Sequence, residues 1–151
     1  MFDGKLYAMP MPAGESLDQN MTALRDKGID RVVCLLEESE SKALGLANEL
    51  TACHAAGMQY HQFPIPDYGV PQTDKLELLI TGLTDELHAG QNIVVHCRGG
   101  IGRTGLVCCC LLVASGMDAD NAMSLVRTKR GCSVPETDAQ TDMIRQFAAM
   151  R

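Results

Sequence analysis

The stretch from Asn92 to Ala114 constrains the fold more than any other part of the chain. NIVVH is an apolar run of strand length, and RTGLVCCCLLVA is a helical run that is apolar nearly all round. Between them lies Cys97-Arg98-Gly99-Gly100-Ile101-Gly102. A continuous apolar strand is covered on both faces, and a helix without a polar side is buried. The chain must therefore build layers around a central sheet. In open α/β sheets ligands bind beyond the carboxyl ends of the strands. The strand that ends at His96 points that end at whatever the glycine-rich loop binds.

The rest of the chain alternates the two kinds of element. Lys5 to Met9 reads as a short strand stopped by Pro10 and Pro12. Ser16 to Lys27 reads as a helix, with Ser16 and Gln19 as a capping box and Gly28 after its end. Arg31 to Leu36 is a buried strand, and Glu40 to Ala56 a helix followed by Gly57. Gln59 to Pro64 is a strand entering the loop PIPDYGVP. Asp74 to Ala89 is an amphipathic helix, with Leu76, Leu79, Ile80, Leu83 and Leu87 at helical spacing. Asp74 is read as its cap, with Glu77 three residues on. Two helices follow the apolar one, near Asp120 to Arg130 and Thr137 to Met150. The pattern predicts an α/β fold, a mostly parallel central sheet flanked by helices on both faces. No repeat, low-complexity tract or linker divides it, so residues 1–151 are expected to form one domain.

Composition narrows the function. A formal net charge of −6 removes the global basic field that nucleic-acid binding requires, so no nucleic acid is expected as partner. Any phosphate site must be built locally. Seven cysteines, three of them consecutive at Cys108, Cys109 and Cys110, lack a CxxC pair, and the four histidines lack zinc spacing. The three consecutive cysteines read as small buried hydrophobes, and a reducing compartment is expected. With no signal-peptide pattern and no apolar run long enough to span a bilayer, a cytoplasmic protein without a membrane role is expected. A monomer is favoured.

The loop is suited to an anion. Its glycines let the backbone curl so that successive N–H groups point inward, and the following helix adds its free N–H groups and positive dipole end. The substrate-binding set expected from this is Arg98, Gly99, Gly100, Ile101, Gly102 and Arg103. A thiol facing that cradle, Cys97, should ionise well below the usual value of about 8.5. Arg103 offers a planar fork for two phosphate oxygens. Thr104 can donate its hydroxyl to the sulfur, and His96 can fix the loop through hydrogen bonds. A nucleotide P-loop needs Gly at the first place and Lys before Ser or Thr, whereas Cys97 and Arg103 stand there.

HCRGGIGRTG resembles the HCxxGxxR[ST] signature of the cysteine-based protein tyrosine phosphatases, and the chain's size resembles their dual-specificity branch. PIPDYGVP and the stretch Arg130 to Phe147 add a likeness to the kinase-associated phosphatase type, so that the resemblance runs from about Leu6 to Phe147. It implies phosphoester hydrolysis through a cysteinyl-phosphate, on a phosphorylated protein, without metal or organic cofactor. In that family the general acid sits on a loop about thirty residues before the cysteine, the position of Asp67. Gln140 resembles the glutamine that positions water in some relatives, and with Thr137 it equally satisfies a capping box. Tyr68 is a candidate for the pocket rim or a plain surface residue. Arg127, Lys129 and Arg130 read as a solvated helix end. Cys34 reads as a core residue, with redox pairing to the nucleophile as the lesser alternative. Phosphatases of inositol lipids or of nucleic-acid 5′ phosphates, and a non-catalytic phosphoprotein-binding module, are the alternatives. The variable loop places add only the charge of Arg98, which favours protein substrates over lipids.

Overall fold

A computed structural model describes residues 2–151. Its sheet has four strands, β1 (Leu6–Met9), β2 (Arg31–Cys34), β3 (Gln59–Gln62) and β4 (Ile93–His96). All neighbours pair in parallel, in the order β1-β4-β2-β3. Every residue of β4 is buried. Because successive strand side chains point to opposite faces, both faces of the sheet centre are covered. The register sets His96 between Met9 of β1 and Cys34 of β2.

Among the described residues seven helices surround the sheet: α1 (Leu17–Asp26), α2 (Glu38–Ala43), α3 (Glu49–Ala55), α4 (Thr73–His88), α5 (Gly102–Ala114), α6 (Ala119–Arg130) and α7 (Asp138–Ala149). The apolar helix foreseen after the glycine loop is α5, buried from Gly102 through Val113. It lies on β1 and β4 and is packed by α4, α6 and α7. Each fully buried Leu or Val on it contributes about 1.5–3 kcal/mol. This burial anchors the loop at its helical end, as β4 anchors it at the other. Cys108, Cys109 and Cys110 are unpaired core residues on α5.

Three local expectations fail. The Ser16–Gln19 capping box does not form, because Ser16 closes a 3-10 turn over Gly14–Ser16 and its side chain caps nothing. The helix expected over Glu40 to Ala56 is two helices. Gly45 adopts φ 77°, and its carbonyl would lie 2.7 Å from a Cβ on Gly14, so two backbones cross where a helix would have continued. The break sends Glu40 and Glu49 in different directions, which matters below. Asp74 is not the cap of α4; Gln72 holds that place, and Asp74 sits in the first turn, accepting from Lys75 N. The box between Thr137 and Gln140 does form at the start of α7. No helix among the described residues is long and apolar enough to cross a membrane.

Candidate active site

The loop between β4 and α5 turns its carbonyls outward, each onto a donor. Cys97 O accepts from His96 Nδ1 at 3.0 Å, and Arg98 O accepts from Met11 N at 3.0 Å. The guanidinium of Arg130 donates to Gly99 O at 3.1 Å and Gly100 O at 2.9 Å. With four successive carbonyls held outside, the N–H groups are left to face inward. Those of Gly100 and Thr104 stand beside the Cys97 sulfur and favour its thiolate. Gly100 sits at φ 73°, and a Cβ there would lie 2.5 Å from Met9 O, so the curl admits no side chain.

Cys97 is 2% exposed. Burial pushes its thiol up, but the Thr104 hydroxyl, the two backbone N–H groups and the Arg103 charge outweigh it and hold the thiol below its ordinary value. The Thr104 hydroxyl is buried, has no hydrogen-bond partner among the described residues, and stands beside the sulfur, where it favours the thiolate.

Arg103 is also 2% exposed. Its Nη1 donates to Glu40 Oε1 at 2.7 Å and to Ile65 O at 3.0 Å, and its Nη2 to Glu40 Oε2 at 3.1 Å. This bidentate grip fixes the plane of the guanidinium. The Arg103 hydrogen bond holds the Glu40 carboxyl below the usual carboxylate range, against a smaller opposing push from burial. Asp67 Oδ1 lies 3.2 Å from Nη2, so the sequence-predicted acid and the clamp do meet.

Asp67 stands on a tight turn after β3, where its Oδ1 also accepts from Tyr68 N at 3.0 Å. Tyr68 has φ 60° and is 62% exposed, which puts it on the surface beside the acid. α7 reaches this turn. Gln140, fully buried, donates from Nε2 to Gly69 O at 3.2 Å while its Oε1 accepts from Glu136 N and Thr137 N. Thr137 Oγ1 donates to Tyr68 O at 3.5 Å. Gln140 thus caps α7 and ties down the acid turn at once. Of the other loop residues, Arg98 and Gly99 are exposed, Ile101 is half-buried and Gly102 is buried.

Behind the loop His96 is fully buried, its Nε2 2.6 Å from Oε2 of Glu49, which is 1% exposed. Glu49 Oε1 accepts from the Tyr60 hydroxyl at 3.2 Å. Sequence reasoning misses Glu40, Glu49 and Arg130, because each is brought to the loop from a distant segment. The reading of Arg130 as part of a solvated helix end is corrected. Arg127 Nε donates to Val134 O at 2.8 Å, and Arg130 shapes the cradle from outside. Arg127 and Lys129 are exposed as expected, and Arg130 is half-buried. Cys34 is buried as expected and lies beside His96 and Glu49.

This arrangement pairs an acidified sulfur with an oxyanion cradle, a rigid guanidinium and a nearby carboxyl. The family model for the "Swiss Army Knife protein, DSP-PTPase phosphatase domain" matches residues 3–151, and the chain belongs to that family of dual-specificity-type protein tyrosine phosphatase domains. It is 31% identical over 153 residues to mouse "Protein tyrosine phosphatase domain-containing protein 1", with 94% of this chain covered and 20% of that protein. It is 26% identical to rat "Cyclin-dependent kinase inhibitor 3", with 87% and 63% covered. The chain therefore spans about a fifth of the first relative's length and under two thirds of the second's. The crystal structure of Tk-PTP in the active form superposes with a TM-score of 0.83 at 28% identity, covering 100% of this chain and 96% of that one.

Proposed function

We propose that the chain is a protein phosphatase that hydrolyses phosphotyrosine, with phosphoserine and phosphothreonine in its range, through a cysteinyl-phosphate. One observation carries the reading. Four outward-turned carbonyls leave the loop's N–H groups around a Cys97 sulfur whose acidity is raised despite 2% exposure. A buried structural thiol has no use for such donors.

In the first step the Cys97 thiolate attacks phosphorus in line, and the bond to the ester oxygen breaks. Asp67 in its protonated form gives that oxygen a proton. Charge on the equatorial oxygens falls on the N–H groups of Arg98 to Arg103 and on the Arg103 fork, already set by Glu40. In the second step water attacks phosphorus and loses a proton to the Asp67 carboxylate. The P–S bond breaks, and the thiolate leaves with the Thr104 hydroxyl donating to it. No metal or organic cofactor enters this scheme.

A protein partner is proposed because only Arg98 adds charge to the variable loop places, and because one relative is named for cyclin-dependent kinases. The test is a panel of phosphotyrosine, phosphothreonine and phosphoserine peptides beside inositol phosphates and 5′-phosphorylated oligonucleotides. Preferred turnover of a phosphopeptide supports the reading. Preference for an inositol phosphate or oligonucleotide moves the substrate class. Tight peptide binding without turnover makes the chain a binding module.

A further inference from the structure

Resting on that reading, we infer that Glu49 is a positioning residue: its buried carboxylate holds His96 as an imidazolium, which clamps the Cys97 carbonyl and keeps a positive charge behind the nucleophile.

Both nitrogens of the His96 ring face acceptors. Nδ1 lies 3.0 Å from the carbonyl oxygen of Cys97, which can only accept, so Nδ1 carries a proton. Nε2 lies 2.6 Å from Glu49 Oε2, just shorter than the usual charge-assisted N–H···O bond of about 2.7–2.9 Å. His96 and Glu49 are 0% and 1% exposed, so neither charge is answered by water. A lone buried ion is very costly, and each compensates the other. The groups facing the pair are few. Cys34 comes from β2, the Tyr60 hydroxyl from β3, the Cys97 peptide from the loop, and the Cys53 thiol, which donates to Gln59 O, from one turn further along α3. None is a carboxylate, and Tyr60 donates to the second Glu49 oxygen at 3.2 Å, which favours the ionised form. Burial pushes the ring's proton affinity down, but Cys34 and Glu49 beside it carry its pKa up to about 10.

Cys34, Glu49 and His96 have the donor types of a metal site, with ligand atoms within 4.8 Å of one another. The Nε2–Oε2 distance argues otherwise. Two ligands about 2.0–2.1 Å from a tetrahedral zinc lie roughly 3.3 Å apart, so 2.6 Å is a proton's spacing.

The consequence reaches the chemistry through one peptide. Clamping the Cys97 carbonyl outward fixes the first turn of the cradle, and the imidazolium charge stabilises the thiolate. Without the Glu49 charge, the ring can drop its Nε2 proton and still donate from Nδ1. The loop would then keep its shape and lose the charge.

Two measurements test this. In the unaltered protein, ring 15N and 13C shifts of His96 at pH 7 should be those of an imidazolium with both protons in place; a neutral ring overturns the proposal without any variant. In Glu49→Gln the pH midpoint of Cys97 alkylation by iodoacetamide should rise by about one pH unit, and the acid limb of kcat/KM for an aryl phosphate should move with it. A lower melting temperature with an unmoved alkylation midpoint would make Glu49 merely structural and overturn the proposal. Zinc uptake that abolishes the imidazolium signals would also overturn it. Alkylation needs no substrate, so a shifted midpoint in a protein that turns over no phosphoester would sink the phosphatase reading and leave the role of Glu49 standing.

Discussion

Cys97 and Cys109 are twelve residues apart, at opposite ends of one continuous stretch, and both are buried, at 2% and 0% exposure. Their acidities diverge. Burial pushes the Cys109 thiol up to about 12, with only the charge of Arg127 opposing it. The same burial acts on Cys97 and is overturned by the Thr104 hydroxyl, two backbone N–H groups and Arg103. Exposure therefore says nothing about which sulfur is acidified. The count of donors aimed at the sulfur decides it, and that count follows from where the backbone carbonyls are sent.

Replacing the two sulfurs tests the contrast most severely. Cys97→Ser should cut aryl phosphate hydrolysis by at least about 10^4-fold, while vanadate still binds, since the cradle is backbone and guanidinium. Cys109→Ser should leave kcat within about twofold and lower stability by about 1 kcal/mol, read by chemical denaturation. Loss of turnover at Cys109 with activity retained at Cys97 would reverse the assignment.

Arg103→Lys keeps the charge but loses the planar fork that grips Glu40 with both nitrogens. A fall in kcat of about 10^2–10^3-fold is expected. A lysine enzyme within a few-fold of the parent would place Arg103 outside the chemistry. Asp67→Asn should cost about 10^2-fold on a phosphotyrosine peptide and far less on an activated aryl ester that leaves without a proton. The basic limb of its kcat/KM profile should vanish. Asp74→Asn should do neither, because Asp74 sits in the first turn of α4.

The smallest effect sharpens the comparison from outside the cradle. Arg130→Met leaves Gly99 O and Gly100 O without their donor. Two charge-assisted hydrogen bonds are at stake, so kcat/KM should drop about tenfold. The pH midpoint of Cys97 alkylation should rise as the inward N–H groups lose their alignment. That midpoint in the parent should lie below the ordinary thiol value, because a lowered pKa means thiolate persists as pH falls. Cys108, Cys109 and Cys110 should stay unlabelled at neutral pH until the protein is denatured, since burial pushes all three up.

The parts legible in the sequence are those whose causes are local. Cys97, Arg103 and Thr104 share one loop, and the glycines that let it curl stand among them. The apolar stripes give most strands and helices because burial is written in their periodicity. What escaped depends on chain segments meeting. Glu40 and Glu49 looked like two charged positions of one helix, and only the crossing of Gly45 over Gly14 separates them. One then reaches Arg103 and the other His96. Arg130 looked solvated because nothing in its own helix shows that the Gly99 and Gly100 carbonyls lie within reach. Ser16 failed as a cap because the preceding turn had already used it.

In the proposed reaction Arg103 starts with its charge already answered, by hydrogen bonds to Glu40 on one side and an ion pair with Asp67 on the other. Substrate docking is then ion exchange rather than capture by a bare cation. The phosphate oxygens trade places with a carboxylate that is tethered to the same chain and so competes at the high effective concentration of a short linker. Loose monovalent anions gain little at such a site, whereas a dianion with three oxygens can meet the guanidinium and the backbone N–H groups together. On the proposed mechanism the same exchange frees the Asp67 carboxyl from the arginine, so that filling the cradle and freeing the group that handles the proton are one event.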